Sequence, residues 1–92
     1  MAQRNHYQHV IVESYYTGPT SGLHGVIHIR PAAGQPFPTH LHVECNKDLS
    51  DPSKYPVGTR FRLRAKLTDR LGSGEFLYSY FGWPVVVVDS DE

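Results

Sequence analysis

The chain has 92 residues, with nine Lys and Arg against nine Asp and Glu, so its formal charge is zero with all six His neutral. That length holds one domain, residues 1–92, with one modest core, and the even balance excludes a chain whose whole surface coats a polyanion. Apolar residues at 39% and charged residues at 20% exclude disorder along the whole length.

No stretch of about 7–15 apolar residues follows Met1, so no secretory leader is expected. The longest β-branched run is the four valines at 85–88, far below the roughly 18 residues that cross a bilayer as a helix. Cys45 is the single cysteine, which excludes an internal disulfide and a cysteine-based zinc site. A cytoplasmic protein with no membrane contact is the expectation.

Gly and Pro divide the sequence into short β-type runs, and no ten-residue stretch shows a helical period. Residues 7–16 are rich in Val, Ile and Tyr and form the first expected strand. A Gly-Pro-Thr-Ser-Gly loop follows. Residues 23–30 show a period of two, with Leu23, Gly25, Ile27 and Ile29 on one side and His24, Val26, His28 and Arg30 on the other. Residues 31–38 form a connector. Residues 39–45 are the third strand, with Leu41, Val43 and Cys45 opposite His40, His42 and Glu44. Residues 46–57 are irregular, with room for one short helical turn. In the fourth strand Phe61, Leu63, Ala65 and Leu67 alternate with Arg60, Arg62, Arg64 and Lys66. A turn at 69–74 leads to a fifth strand at 75–81, a bend at 82–84 and a sixth strand at 85–88. Residues 1–5 and the acidic 89–92 are expected to fray.

This pattern predicts an all-β fold: a small five- to six-stranded antiparallel barrel or sandwich of the OB or SH3-like kind. The alternative is α+β, with a helix hidden in residues 46–57.

The first candidate site is the basic stripe. Alternate residues of a strand lie about 6.6–6.8 Å apart, so Arg60, Arg62, Arg64 and Lys66 form one row. Aligning Leu67 with Leu77 and Leu63 with Phe81 sets Lys66 opposite Tyr78 and Arg64 opposite Tyr80, with Trp83 near the ladder's end. Cations tracking phosphates beside stacking rings are what a single-stranded nucleic acid needs; another anionic ligand or a protein partner would use the same row. The competing reading is an exposed strand face whose Arg and Lys stems cover Tyr rings.

The second candidate is histidine. A hairpin of the second and third strands that pairs Arg30 with His40 sets His28 opposite His42, with Cβ atoms about 4.5–5.5 Å apart. His40, His24 or Glu44 would then be a third ligand for zinc or another divalent metal. The same group could serve as a general base or pH switch, or be plain solvent-facing polarity. The segment from Gly34 to His40-Leu41-His42 resembles the opening of the first cupin motif, where a Gly precedes a His-x-His pair at this spacing. Pro56-Val57-Gly58 resembles the second motif. The resemblance covers about nine residues and implies a metal-binding barrel, enzymatic or not. Asn46 or Lys47 stands where the motif has Glu, and Phe61 where it has His.

No catalytic residue is expected. The sequence holds no P-loop and no dinucleotide fingerprint, and Gly72-Ser73-Gly74 is a turn rather than a nucleophile elbow. Cys45 is expected as a small buried side chain. The uncharged run at 85–88 is expected at a sheet edge, where it invites a second chain, with Asp89, Asp91 and Glu92 guarding against open stacking. A homo-oligomer, most simply a dimer, follows. The expected function is a non-enzymatic module binding an anionic ligand through Arg60, Arg62, Arg64, Lys66, Tyr78, Tyr80 and Trp83. The alternatives are a metal-binding protein or enzyme using His28, His40, His42 and Glu44, or a structural oligomer.

Overall fold

Alternation builds the two strands on which the rest of the chain is laid. The computed structural model describes residues 6–17, 27–70 and 74–88. In β1 (Gln8–Tyr16), Val10, Val12 and Ser14 point inward; in β4 (Arg60–Arg70), Phe61, Leu63 and Ala65 do the same. These β-branched and aromatic residues suit a half-buried pleated surface. The two strands pair antiparallel from Gln8↔Ala65 to Glu13↔Arg60. β2 (Ile27–Pro31) pairs with the other edge of β1, and β5 (Gly74–Tyr78) pairs with the second half of β4. β3 (Val43–Glu44) and β6 (Val86–Val88) complete the sheet.

The order along the sheet is β2-β1-β4-β5-β3, with β6 also on β4. β6 and β5 share one edge of β4, in succession: β6 meets Arg60 to Arg62, and β5 meets Lys66 to Arg70. The core gathers on the concave side. Val10, Val12, Phe61, Leu63, Ala65 and Leu77 are almost wholly buried there, joined by Ile29, Leu41, Val43 and Leu49.

The all-β expectation holds, with four corrections. First, the sheet is mixed and is not closed into a barrel. β2 and β3 end the path and come into contact, but no ladder joins them among the described residues. Second, β3 is two residues long and runs parallel to β5, rather than forming a hairpin with β2. The N–H of Leu77 in β5 and of Ser79 just past its end donate to the carbonyls of His42 and Glu44 at 2.9 and 2.8 Å. The strand is short because the chain still turns where the sequence predicts its start: the Leu41 N–H donates back to the Pro38 carbonyl at 3.3 Å. Third, residues 46–57 hold the one short helical turn expected there, a 3₁₀ turn at Lys47–Ser50 capped by the Asn46 side chain accepting from the Asp48 N–H, and not the longer helix of the α+β alternative. No α-helix occurs among the described residues, so the α+β alternative fails there. Fourth, β5 stops at Tyr78. Lys66↔Tyr78 and Leu67↔Leu77 pair as expected, whereas Leu63–Phe81 and Arg64–Tyr80 do not.

A register shift accounts for the fourth difference. From Lys66 to Arg62 is four steps along β4, while their partners Tyr78 and Val86 are eight steps apart. The four extra residues loop out, and the Trp83 N–H closes a turn onto the Tyr80 carbonyl at 3.1 Å. Residues 23–26 of the strand expected over 23–30, His24 among them, lie outside the described residues.

Candidate functional site

The convex face of the sheet carries the charge. Along β4 it presents Arg60, Arg62, Arg64 and Lys66, the alternates of the buried Phe61, Leu63 and Ala65. Register sets Glu13 opposite both Arg60 and Arg30. Its carboxylate accepts from Arg30 Nε at 2.9 Å and lies 3.4 Å from Arg60 Nε. Arg60, expected in the site, is therefore held by Glu13. Arg62, Arg64 and Lys66 have no ion pair among the described residues.

The looped-out residues place aromatic rings beside these cations. The Arg64 guanidinium lies 4.7 Å from the Trp83 ring centre. Trp83 meets Tyr7 edge-on at 4.6 Å and Tyr80 at 5.7 Å, and Tyr80 meets Phe81 at 5.0 Å. The Lys66 ammonium lies 5.0 Å from the Tyr7 ring centre. Five residues thus form one connected cluster around Arg64: Phe81, Tyr80, Trp83, Tyr7 and Lys66. Phe81 is 65% exposed and Tyr80 44%, so two rings stand open to solvent.

Gly82 lets this turn close. A Cβ there would meet the Tyr80 ring at 2.6 Å. The blocking atoms are the far end of a side chain, so the ring would yield before the backbone. Tyr78, expected in the site, sits half-buried in the ladder opposite Lys66. Tyr7 was missed by sequence reasoning. The signal for it was the β1–β4 alignment: Gln8↔Ala65 places Tyr7 next to Lys66.

The histidines separate. His28 on β2 and His42 before β3 meet across the gap between the sheet's ends, with ring centres 6.1 Å apart. The closeness foreseen for a hairpin thus arises from the curl of the sheet. The Tyr15 ring lies tilted to His28 with centres 6.0 Å apart, and the Arg30 guanidinium lies 4.3 Å from the Tyr15 ring centre. A cavity of about 410 Å³ opens at this gap, lined by His28, His42, Glu44 and Cys45 over Ile29 and Val43. His40 is exposed in the turn before β3. Among the described residues, no three of His, Cys, Asp and Glu gather closely enough to hold a metal ion. Burial pushes the Cys45 thiol up to about 12. At neutral pH it is a protonated, unreactive group.

No protein-family model, curated protein or solved structure matches this chain. The cupin-like residues at 34–42 lie in turns and coil, and no family match extends that resemblance. No helix among the described residues is long and apolar enough to cross a membrane.

Proposed function

We propose that this chain is a small non-enzymatic binding module whose ligand is a single-stranded nucleic acid. The observation that carries this is the Arg64–Trp83–Tyr7–Lys66 cluster on the convex face. It joins cations that have no carboxylate partner among the described residues to exposed rings. Arg62, Arg64 and Lys66 track the phosphates, and Tyr80 and Phe81 offer ring faces to bases. Base–aromatic stacking contributes about 1–3 kcal/mol per base and tolerates any sequence. The chain's zero net charge supplies no long-range field, so affinity is micromolar and strongly dependent on salt.

Fluorescence anisotropy of a labelled oligonucleotide tests this reading. Titration with tag-free protein gives micromolar binding at low salt, with log affinity falling linearly in log salt by about 0.7 per phosphate contact. Arg62→Ala/Arg64→Ala abolishes it. An unchanged affinity in that variant, or no binding at low salt, contradicts the reading.

The cavity at His28 and His42 favours a second reading, a small metal-binding protein. Zinc or another divalent ion would need these two imidazoles and the Glu44 carboxylate to converge. Stoichiometric Co²⁺ absorption that disappears in His42→Ala would support it, and its absence in the intact chain would retire it.

A further inference from the structure

His9 lies in the middle of the basic stripe, on the neighbouring strand. The Ser14 N–H donates to the Thr59 carbonyl at 3.1 Å, and the Ala32 N–H to the Ile11 carbonyl at 2.9 Å. Even-numbered residues of β1 therefore bond β4, and odd-numbered ones turn their backbone the other way. His9, Ile11 and Glu13 consequently meet Arg64, Arg62 and Arg60 as pairs without mutual backbone bonds, the kind whose side chains stand closest. Directly opposed Cβ atoms lie about 4.5–5.5 Å apart, and diagonal neighbours follow at about 7–8 Å. His9 thus shares the convex face with Arg64 directly across and with Arg62 and Lys66 on the diagonals. It is exposed, as are Arg62 and Arg64.

The surroundings of His9 leave its charge to be set by a ligand. Its side chain makes no hydrogen bond, ion pair or ring contact among the described residues. On β1 its same-face neighbours are Tyr7 and Ile11. Glu13, beyond Ile11, is engaged by Arg30 and Arg60. On the side away from β4, β2 meets β1 only from Val12 to Tyr16. The side chain placed there is Gln35, whose uncharged amide accepts from the Ile11 N–H at 3.0 Å. Past Arg64 stand Trp83 and Tyr80, and phenols are neutral near pH 7. His6, earlier in the chain, is exposed.

Imidazole is the side chain whose charge ordinarily changes between about pH 5 and 8. A phosphodiester on Arg64 puts negative charge beside His9, which favours the protonated ring. Linkage makes the effect reciprocal: the protonated ring favours the phosphodiester by the same factor. We propose that His9 is a proton-dependent ligand-binding residue of the stripe, so that the chain holds a phosphate strand more tightly in mild acid than in mild base. The proposal rests on the nucleic-acid reading above and adds to Arg62, Arg64 and Lys66 a cation that acid switches on.

Anisotropy titrations of a labelled oligothymidylate, whose bases and phosphates do not titrate in this range, test it at about pH 8 and about pH 5.5 in matched low salt. The intact chain should bind about fivefold more tightly at the lower pH. Its log–log salt slope should steepen there by about 0.7, one further phosphate contact. His9→Gln should bind equally at both pH values, with the affinity of the intact chain in mild base. His9→Lys carries its charge throughout and should hold the tighter affinity at both, a rescue that a merely structural role would not give. Both variants should keep the circular dichroism spectrum of the intact chain, because His9 is exposed. Binding that is flat with pH overturns the role of His9 and leaves the ligand reading standing. A pH dependence that survives in His9→Gln does the same and moves the effect to His6 or another imidazole. Absence of binding at both pH values overturns the ligand reading and this proposal together.

Discussion

Glu13 decides which arginines remain available on the convex face. Its one carboxylate engages Arg30 and Arg60, leaving Arg62 and Arg64 for a ligand. Arg60→Ala should therefore lower oligonucleotide affinity far less than Arg64→Ala, whose side chain also supports Trp83; anisotropy titrations of the two variants compare them directly. Gly82→Ala is the matching test of the rings. Its Cβ displaces the Tyr80 ring, so binding should fall while the urea midpoint changes little. Cys45 gives a pH prediction. Its thiol is raised from 9.0 to about 12 in the fold, so the folded state holds a proton that the unfolded chain releases first. This contribution to stability is intact below pH 9.0 and is lost progressively as pH rises toward 12. Urea unfolding of Cys45→Ala between these limits should show a shallower alkaline decline than the unaltered chain.

At the scale of elements, β4 organises the molecule because three strands pair with it. Phe61 lies at its most crowded stretch, between Val12 of β1 and Val87 of β6, fully buried and edge-on to Tyr55 at 5.0 Å. Phe61→Ala should cost about 3–5 kcal/mol in urea-induced unfolding. Leu67→Ala, only half-buried in the β4–β5 ladder, should cost less. Legible in sequence were β1, from its Val, Ile and Tyr content, the alternation of β2 and β4, and the pairs Lys66↔Tyr78 and Leu67↔Leu77. What escaped was non-local. The preference of His42 and Glu44 for the open edge of β5 leaves no mark on residues 39–45 themselves. The four-residue register shift was hidden because Leu63–Phe81 looked like a continuation of the apolar pattern. Its sign was Gly82-Trp83-Pro84, where Pro and Gly end a ladder. The same shift explains why the stripe was readable and its ring partners were only partly so. Arg64 meets Trp83 across a loop, and Tyr7 joins through a strand whose register no local pattern sets.

For the whole molecule, the arrangement separates two surfaces. The curl of the sheet buries one core and brings its ends together at the His28–His42 cavity, while the convex face carries open rings and cations with no ion pair among the described residues. A neutral chain with a local basic patch should bind a polyanion only through direct contacts, so modest salt should erase the interaction. The most direct measurement uses Trp83, the single tryptophan. Its intrinsic fluorescence should be quenched when oligothymidylate is added at low salt, saturating in the micromolar range and recovering when salt is raised. Arg62→Ala/Arg64→Ala should not respond. Fluorescence that stays unchanged in the intact chain at low salt would contradict the account.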